Sequence, residues 1–273
     1  MAALGVSCKV DVVRLSRLQQ CQRTRSAHDG GWETMTEVEH AFVATSRLCG
    51  QIRSHRHAGR KAAKFLAGIA FDLFEGDYRV DGMVFHIPRE HTPITVRGRF
   101  MAGTYEEAER QLAMRHLPRD ATVLELGGCI GVLSCTINRR LAAPRRHIVL
   151  EAHPALPIVL ERNRDANGCS FAARQAVLSR RDDVRFSSVN LTDGRVVASG
   201  GISVPTVTLE ELERDTGLSF DALVMDIEGG EAEVIDENPA WFDRLKFLLV
   251  ELRRRLSARM GFRGFAKSLW RTA

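Results

Sequence analysis

The feature that most constrains the fold is a short apolar run followed at once by glycines, in residues 121–131 (ATVLELGGCIG). The apolar part, 122–126, contains β-branched residues and predicts a buried parallel strand. A helix-compatible segment begins at Val132. A strand that turns directly into a helix presents backbone N–H groups and the positive end of a helix dipole at the carboxyl edge of a sheet. Without a Cβ, glycines allow a ligand to approach that backbone. The glycines of the turn are Gly127, Gly128 and Gly131.

The spacing within this turn favours one class of nucleotide over another. It reads Glu-x-Gly-x-x-x-Gly from Glu125. The dinucleotide fingerprint requires Gly-x-Gly-x-x-Gly, which no register of these glycines supplies. The turn therefore favours S-adenosylmethionine (SAM) over NAD. We expect Gly127→Val to abolish cofactor binding, because the branched side chain would fill the space that the ligand approaches.

Carboxylates follow or end the predicted strands of this sheet. Glu151 ends the apolar run 147–150, and Asp226 and Glu228 follow the run 222–225. Because ligands bind outside the carboxyl ends of parallel strands, Glu125, Glu151 and Asp226 are expected to converge on one cleft. A carboxylate in the position of Glu151 can accept both hydroxyls of a ribose. The structural alternative is a surface position for Glu151, with Asp226 and Glu228 acting as a helix N-cap and a first-turn acid.

Composition excludes several classes of protein. The chain has 273 residues and a net charge of +5, with cations and acids interspersed through most of its length. This balance is typical of an ordinary soluble surface and makes a nucleic-acid partner unlikely. The six cysteines are scattered without a Cys-x-x-Cys pair, which argues against a zinc site or a disulfide framework and for a cytoplasmic protein. No apolar run reaches the ~20 residues that span a bilayer.

Three regions are predicted along the chain. Residues 1–34 are rich in arginine and are expected to be disordered or a non-native extension. Residues 35–102 are expected to form helices, mainly over 35–74, and a β-hairpin at Asp81-Gly82. Residues 103–273 form the main α/β domain. Within it, two Thr-x-x-Glu patterns predict helix capping boxes, one at Thr104 with Glu107 and one at Thr208 with Glu211.

Four segments together resemble the FkbM family of methyltransferases. They are Tyr105-Glu106, 123–131 (VLELGGCIG), 149–152 (VLEA) and, as the most specific, 224–231 (VMDIEGGE). The resemblance covers about residues 103–252. That family belongs to the class I, SAM-dependent group. The resemblance implies a Rossmann-like, doubly wound and mostly parallel sheet, here with an N-terminal helical and hairpin extension.

The resemblance also implies roles for particular residues. The turn from Gly127 to Gly131 would hold the methionine part of SAM, Glu125 its ammonium group and Glu151 its ribose. Asp226, or as second choice Glu228, would orient or deprotonate a hydroxyl acceptor on a sugar or secondary metabolite, which makes the protein an O-methyltransferase. No metal is implied. The implied cofactor-binding set is Tyr105, Glu125, Gly127, Gly128, Gly131 and Glu151.

This chain departs from the family pattern at two places. The family typically has Asp-x-Gly-Ala-Asn-x-Gly, where this chain has Glu125, Gly128 and Cys129 at the Asp, Ala and Asn positions, so a side-chain amide contact is lost. The group also normally completes its sheet with a sixth strand and an antiparallel seventh. The basic residues 253–273 hardly provide a helix and both strands, which predicts an incomplete C-terminal sheet edge. Two alternatives stay open: a nucleic-acid methyltransferase, supported only by that basic segment, and a non-catalytic, degenerate domain.

Overall fold

The computed structural model describes residues 11–13, 41–46, 55–188, 190, 194–197, 199–227 and 230–252. The strands are β1 (Asp11–Val13), β2 (Ala41–Ser46), β3 (Asp77–Val80), β4 (Met83–His86), β5 (Val123–Leu126), β6 (His147–Glu151), β7 (Ala172–Gln175), β8 (Val177–Leu178), β9 (Val184–Ser187), β10 (Arg195–Val197), β11 (Ile202–Val204), β12 (Thr206–Val207), β13 (Ala222–Met225) and β14 (Phe247–Leu252). The α-helices are α1 (His55–Ala70), α2 (Ile94–Met101), α3 (Glu107–His116), α4 (Val132–Arg140), α5 (Pro157–Ala166), α6 (Leu209–Thr216), α7 (Glu231–Glu237) and α8 (Pro239–Phe242). A π-helical turn, Phe71–Glu75, continues α1.

The centre of the structure is a sheet of seven strands in the order β1-β2-β14-β13-β5-β6-β7. All neighbouring pairs from β2 to β7 are parallel, and only β1 pairs antiparallel. The order reverses between β5 and β13, which is the switch point at which open α/β sheets bind ligands. The prediction of a Rossmann-like, mostly parallel α/β fold is confirmed.

Helices cover both faces of this sheet, so its central strands β5, β6 and β13 are buried throughout. On one face α6, α7 and α8 pack on the sheet, with Leu212 and Trp241 in the core. On the other face α3 and α4 pack through Ala113 and Ile137. A further cluster joins α5 to the β3–β4 hairpin around Phe85. The sheet is therefore doubly wound, as predicted.

The pairing register of β5, β6 and β13 places three of the predicted site residues side by side at the carboxyl edge of the sheet. Leu126 of β5 pairs with Leu150 of β6 on one side and with Met225 of β13 on the other. The ladder continues one step further, because the Gly127 N–H donates to the Leu150 carbonyl and the Asp226 N–H to the Leu126 carbonyl. The residues one step beyond the paired leucines and methionine form what we call the edge row: Gly127, Glu151 and Asp226.

The N-terminal part of the chain differs from the prediction. Residues 41–46 lie within the segment predicted to be helical, but they form strand β2 beside β14. Residues 11–13, within the segment expected to be disordered, form β1. A short apolar run with a Val and a Thr fits a strand or a helix turn equally well, which explains the wrong prediction for 41–46. The prediction of an incomplete C-terminal sheet edge concerns residues 253–273, which lie outside the described residues; next to β14 the sheet continues with β2 and β1.

Of the predicted turn and helix-capping patterns, two are confirmed and one is wrong. The hairpin at Asp81-Gly82 is confirmed, and both residues have the positive φ angles of a two-residue turn. The capping box of Thr208 with Glu211 is confirmed at the start of α6. The box predicted for Thr104 is wrong, because α3 begins at Glu107 and Glu106 is its N-cap residue.

Within the part of the chain that the structure describes, no helix is both long and apolar enough to cross a membrane. The basic segment 253–273 lies outside the described residues.

Candidate active site

A cleft opens above the carboxyl ends of β5, β6 and β13 and encloses about 1160 Å³ of space, part of it open to solvent. Its floor is the edge row. One wall comes from α2 and α3 and contains Arg99, Tyr105 and Glu106. The opposite wall comes from β8 and the small β9–β10–β11 sheet and contains Val177 and Phe186. The position and size are those of a ligand site in an open α/β sheet.

Glu151 lies in this cleft, held in place by backbone groups. Its Oε2 accepts the Cys129 N–H at 2.7 Å and its Oε1 accepts the His153 N–H at 2.7 Å. Burial raises the pKa of Glu151, and these two backbone donors partly offset that rise. A carboxylate has about four acceptor positions, so this fixed carboxylate can still accept a hydroxyl group from a ligand.

Asp226 and Gly127 meet at the switch point. Asp226 lines the cleft and is partly exposed. A Cβ on Gly127 would lie 2.2 Å from the Asp226 carbonyl oxygen, and Gly127 has φ +91°. The glycine is therefore required for the approach of β5 to β13. Gly127 also lines the cleft, so Gly127→Val would disturb this backbone contact as well as the approach of a ligand that the sequence predicts.

The other two glycines of the turn do not line the cleft. A Cβ on Gly128 would lie 2.3 Å from a methyl carbon of Val149, and one on Gly131 would lie 2.7 Å from a methyl carbon of Leu160. Gly131 also has φ +87°. Both glycines let the turn pack against β6 and α5. The lack of a side chain at these two positions is therefore explained by packing within the protein.

Glu125 is also placed away from the cleft. It is 1% exposed and faces α4, where its Oε1 accepts the Ser134 hydroxyl at 2.8 Å and its Oε2 lies 2.9 Å from His147 Nε2. His147 is completely buried. The structure thus brings Glu151 and Asp226 together at the cleft, as expected, and leaves Glu125 beneath it.

Tyr105 lines the cleft from the side of α2 and α3. Its hydroxyl lies 3.3 Å from the Cys129 sulfur, and its ring packs on Phe100 with centroids 4.4 Å apart. The Arg99 guanidinium stands 5.1 Å over the same ring. Burial raises the pKa of the Tyr105 hydroxyl and of the Cys129 thiol well above their ordinary values. Both groups are therefore neutral near pH 7, and Cys129 is unsuited to act as a nucleophile.

Glu106 is a cleft residue to which the sequence assigned no role. Its Oε2 accepts the Leu133 N–H at 3.1 Å and so caps the first turn of α4. Burial, together with the negative charges of Glu109, Asp226 and Glu125, raises the pKa of Glu106 to about 8. Its φ is +49°, and Cys129 has φ +50°. Strained non-glycine residues concentrate at functional sites, and both of these line the cleft.

Sequence patterns could not have identified every lining residue. Arg99, His153 and Phe186 lie in segments with no motif, and the fold brings them to the cleft from α2, from the loop after β6 and from β9. Glu106 carried one usable signal, since it belongs to the Tyr105-Glu106 pair that contributed to the family resemblance. Glu228 lies outside the described residues.

No protein-family model matches the chain, and no curated protein matches it. Among solved structures it is similar to an O-methyltransferase from Bacillus cereus in complex with SAH, with 13% identity and a TM-score of 0.30 over 72% of this chain and 61% of that one. It is also similar to a protein from Streptococcus mutans described as a SAM-dependent methyltransferase, with 10% identity and a TM-score of 0.41 over 85% of this chain and 59% of that one. The chain thus spans about three fifths of the length of these two proteins. We base the functional proposal on the cleft itself.

Proposed function

We propose that this chain is a SAM-dependent methyltransferase that acts on a hydroxyl group of a sugar or secondary metabolite. The observation that carries the proposal is the edge row, in which a glycine and two carboxylates stand at the switch point of a parallel sheet and open onto a nucleotide-sized cleft. The resemblance to the FkbM family supports the same reaction and supplies the class of acceptor.

The residues of the cleft fit SAM at its ribose end. Glu151 stands at the end of β6, with both oxygens fixed by backbone N–H groups and acceptor capacity left for a ligand hydroxyl. We assign the ribose hydroxyls to this carboxylate. Leu150, Ala176 and Leu178 form an apolar surface beside it, which suits the adenine ring.

We assign the methionine end to the side of the cleft near α3. Glu125 already accepts a hydrogen bond from Ser134 and contacts His147, so its carboxylate is not available to an ammonium group in the cleft. Glu106 lines the cleft and lies close enough to Asp226 and Glu109 for their charges to raise its pKa. An ammonium group beside Glu106 would relieve this repulsion between carboxylates. Glu106 therefore replaces Glu125 in the proposed binding of the ammonium.

When bound, SAM supplies a methyl group on a positively charged sulfur. The chain's own part is to hold the acceptor oxygen in line with that methyl group at ~3 Å, which accounts for most of the acceleration in such a displacement. Asp226, at the β13 end of the edge row, is the residue we assign to orient the acceptor hydroxyl and accept its proton. Glu228 remains the second choice for this role.

The test has two stages. Titration calorimetry with S-adenosylhomocysteine measures whether the cleft binds the nucleotide, with Glu151→Ala as the site variant. Incubation of a metabolite extract with isotopically labelled SAM, followed by mass spectrometry, then identifies the methylated hydroxyl, with Asp226→Asn as the inactive control. Absence of heat at millimolar nucleotide would contradict the proposal. Binding without any transfer would favour the non-catalytic alternative. No observation on the described residues favours a nucleic-acid substrate.

A further inference from the structure

The cleft contains an arginine that has no acidic partner among the described residues. Of those residues, Arg99 and Arg181 are the arginines that line the cleft, and Arg181 pairs with Glu233 at 2.9 Å. Arg99 is partly buried, and its guanidinium makes no ion pair and no hydrogen bond with any residue that the structure describes. Arg97, two positions earlier on α2, pairs with Asp72 at 2.9 Å. The positive charge of Arg99 is therefore available to a ligand in the cleft.

Aromatic packing fixes Arg99 in the wall of the cleft. Its guanidinium carbon lies 5.1 Å from the centroid of the Tyr105 ring. That ring packs against Phe100 and Tyr78, with centroids 4.4 and 6.4 Å away, and the Thr104 N–H donates to the Arg99 carbonyl at 3.0 Å. A guanidinium that packs on an aromatic ring keeps its N–H donors for hydrogen bonds, and their fork matches the two oxygens of a carboxylate. Arg99 is thus positioned to bind a planar anion.

An acid lies on the same wall as Arg99. Glu106 follows Tyr105 in the chain, and both residues line the cleft. Burial raises the pKa of the Tyr105 hydroxyl, the charge of Glu106 raises this pKa further, and the charge of Arg99 lowers it. Both charges therefore act on the same ring. A cation and an acid so close together suit a ligand in which a carboxylate and an ammonium group are neighbours, as they are in an α-amino acid.

We propose that Arg99 binds a carboxylate carried by the ligand that occupies the cleft. The inference rests on the proposed function, in which two molecules can supply this carboxylate: the amino-acid part of SAM, or an acid group on the acceptor. The position of Glu106 favours the first source, because an acid for the ammonium group then stands beside a cation for the carboxylate. Arg99 would in that case hold the methionine chain against the wall formed by α2 and α3.

The test compares two nucleosides by titration calorimetry with the full chain. S-adenosylhomocysteine carries the amino-acid part, whereas methylthioadenosine has only a methyl group on the same sulfur. We expect Arg99→Gln to lower the affinity for S-adenosylhomocysteine by about ten- to a hundredfold, in line with the loss of a hydrogen bond to a charged group, and to leave the affinity for methylthioadenosine unchanged. Retained binding of methylthioadenosine also shows that the variant folds. Arg99→Lys should recover part of the loss, because an ammonium group keeps the charge without the fork.

The matched control is Arg162→Gln, which removes an exposed cation of α5 outside the cleft and should leave both affinities unchanged. A second measurement follows label from SAM into a metabolite extract, with the products separated by anion exchange. If Arg99→Gln keeps its affinity for S-adenosylhomocysteine but loses transfer to acidic products alone, the acceptor supplies the carboxylate and the proposal stands.

Three results would overturn the proposal. They are unchanged affinities and products in Arg99→Gln, equal losses for the two nucleosides, which would make Arg99 a structural part of the cleft, and an equal loss in the Arg162→Gln control. A wild type that binds neither nucleoside would instead contradict the proposed function itself.

Discussion

The tripeptide Val-Leu-Glu occurs twice in the parallel sheet, in β5 as 123–125 and in β6 as 149–151, and its two glutamates have opposite surroundings. Glu125 pairs with Val149, so the second tripeptide is displaced by two residues toward the carboxyl edge. Glu151 thereby reaches the cleft, whereas Glu125 remains under it against α4. The register of the sheet decides which carboxylate can meet a ligand, and the local sequence does not.

The largest effect is expected at the edge row itself. Asp226→Asn keeps the size of the side chain but removes its ability to accept a proton, so methyl transfer should fall by about 10²–10⁴-fold. Affinity for S-adenosylhomocysteine should stay within a few-fold of the wild-type value. Rate and calorimetric measurements on the same preparation check both parts. An equal loss of rate and affinity would move Asp226 from the acceptor side of the cleft to the cofactor side.

Glu125 should behave in the opposite way. Glu125→Ala leaves Ser134 and His147 without their buried carboxylate partner, and unfolding should become easier by about 3 kcal/mol. The folded protein should still bind S-adenosylhomocysteine with nearly wild-type affinity. Urea unfolding measures the first effect and calorimetry the second. A stable variant that has lost nucleotide binding would break the comparison between the two glutamates.

Glu151→Gln tests the other glutamate of the comparison, the one that lies in the cleft. The amide keeps one acceptor oxygen but cannot accept the N–H groups of both Cys129 and His153, so the ribose contact is weakened. We expect nucleotide affinity to fall by about ten- to a hundredfold, in line with the loss of a hydrogen bond to a charged group. Titration calorimetry measures it. The midpoint of urea unfolding should move less than in Glu125→Ala; a larger shift would contradict the assignment.

The smallest effect concerns pH. Glu106 is largely protonated below its pKa of about 8, and an ammonium group in the cleft favours its ionised form. Binding therefore releases a proton, and affinity for S-adenosylhomocysteine should rise by up to about tenfold per pH unit below 8 and level off above it. Calorimetry across this pH range provides the measurement. Glu106→Gln should flatten the profile; an unchanged slope in that variant would assign the dependence to another group.

The strands that build the site could be predicted because their signals are local. The runs that became β5, β6 and β13 are short, apolar and followed by glycine or acid, and the sheet placed Glu151 and Asp226 as expected. The burial of Glu125 could not be predicted, because it depends on pairing between residues far apart in the chain. Gly128 and Gly131 resembled ligand-contacting positions for the same reason, since a sequence does not show that Val149 and Leu160 occupy the space beside them.

Two identical capping patterns show that helix starts, too, cannot always be predicted from local sequence. Thr208 caps α6 as its sequence predicts, with Glu211 returning the hydrogen bond. Thr104 has the same pattern before α3, but Glu106 takes the N-cap position in a left-handed conformation and directs its carboxylate to the Leu133 N–H of α4. The tertiary contact to α4 outweighed the local preference. The residue responsible is also the one that sequence reasoning left without a role.

The edge row has a consequence for how this protein can change over evolutionary time. Side chains along a strand alternate between the two faces, so a deletion or insertion of one residue within β5 would turn every following side chain to the other layer. Gly127 would then leave the level of Glu151 and Asp226, although the composition of the segment would hardly differ. Lineages of this protein should therefore tolerate length variation in surface loops far more readily than a single inserted codon in β5, β6 or β13.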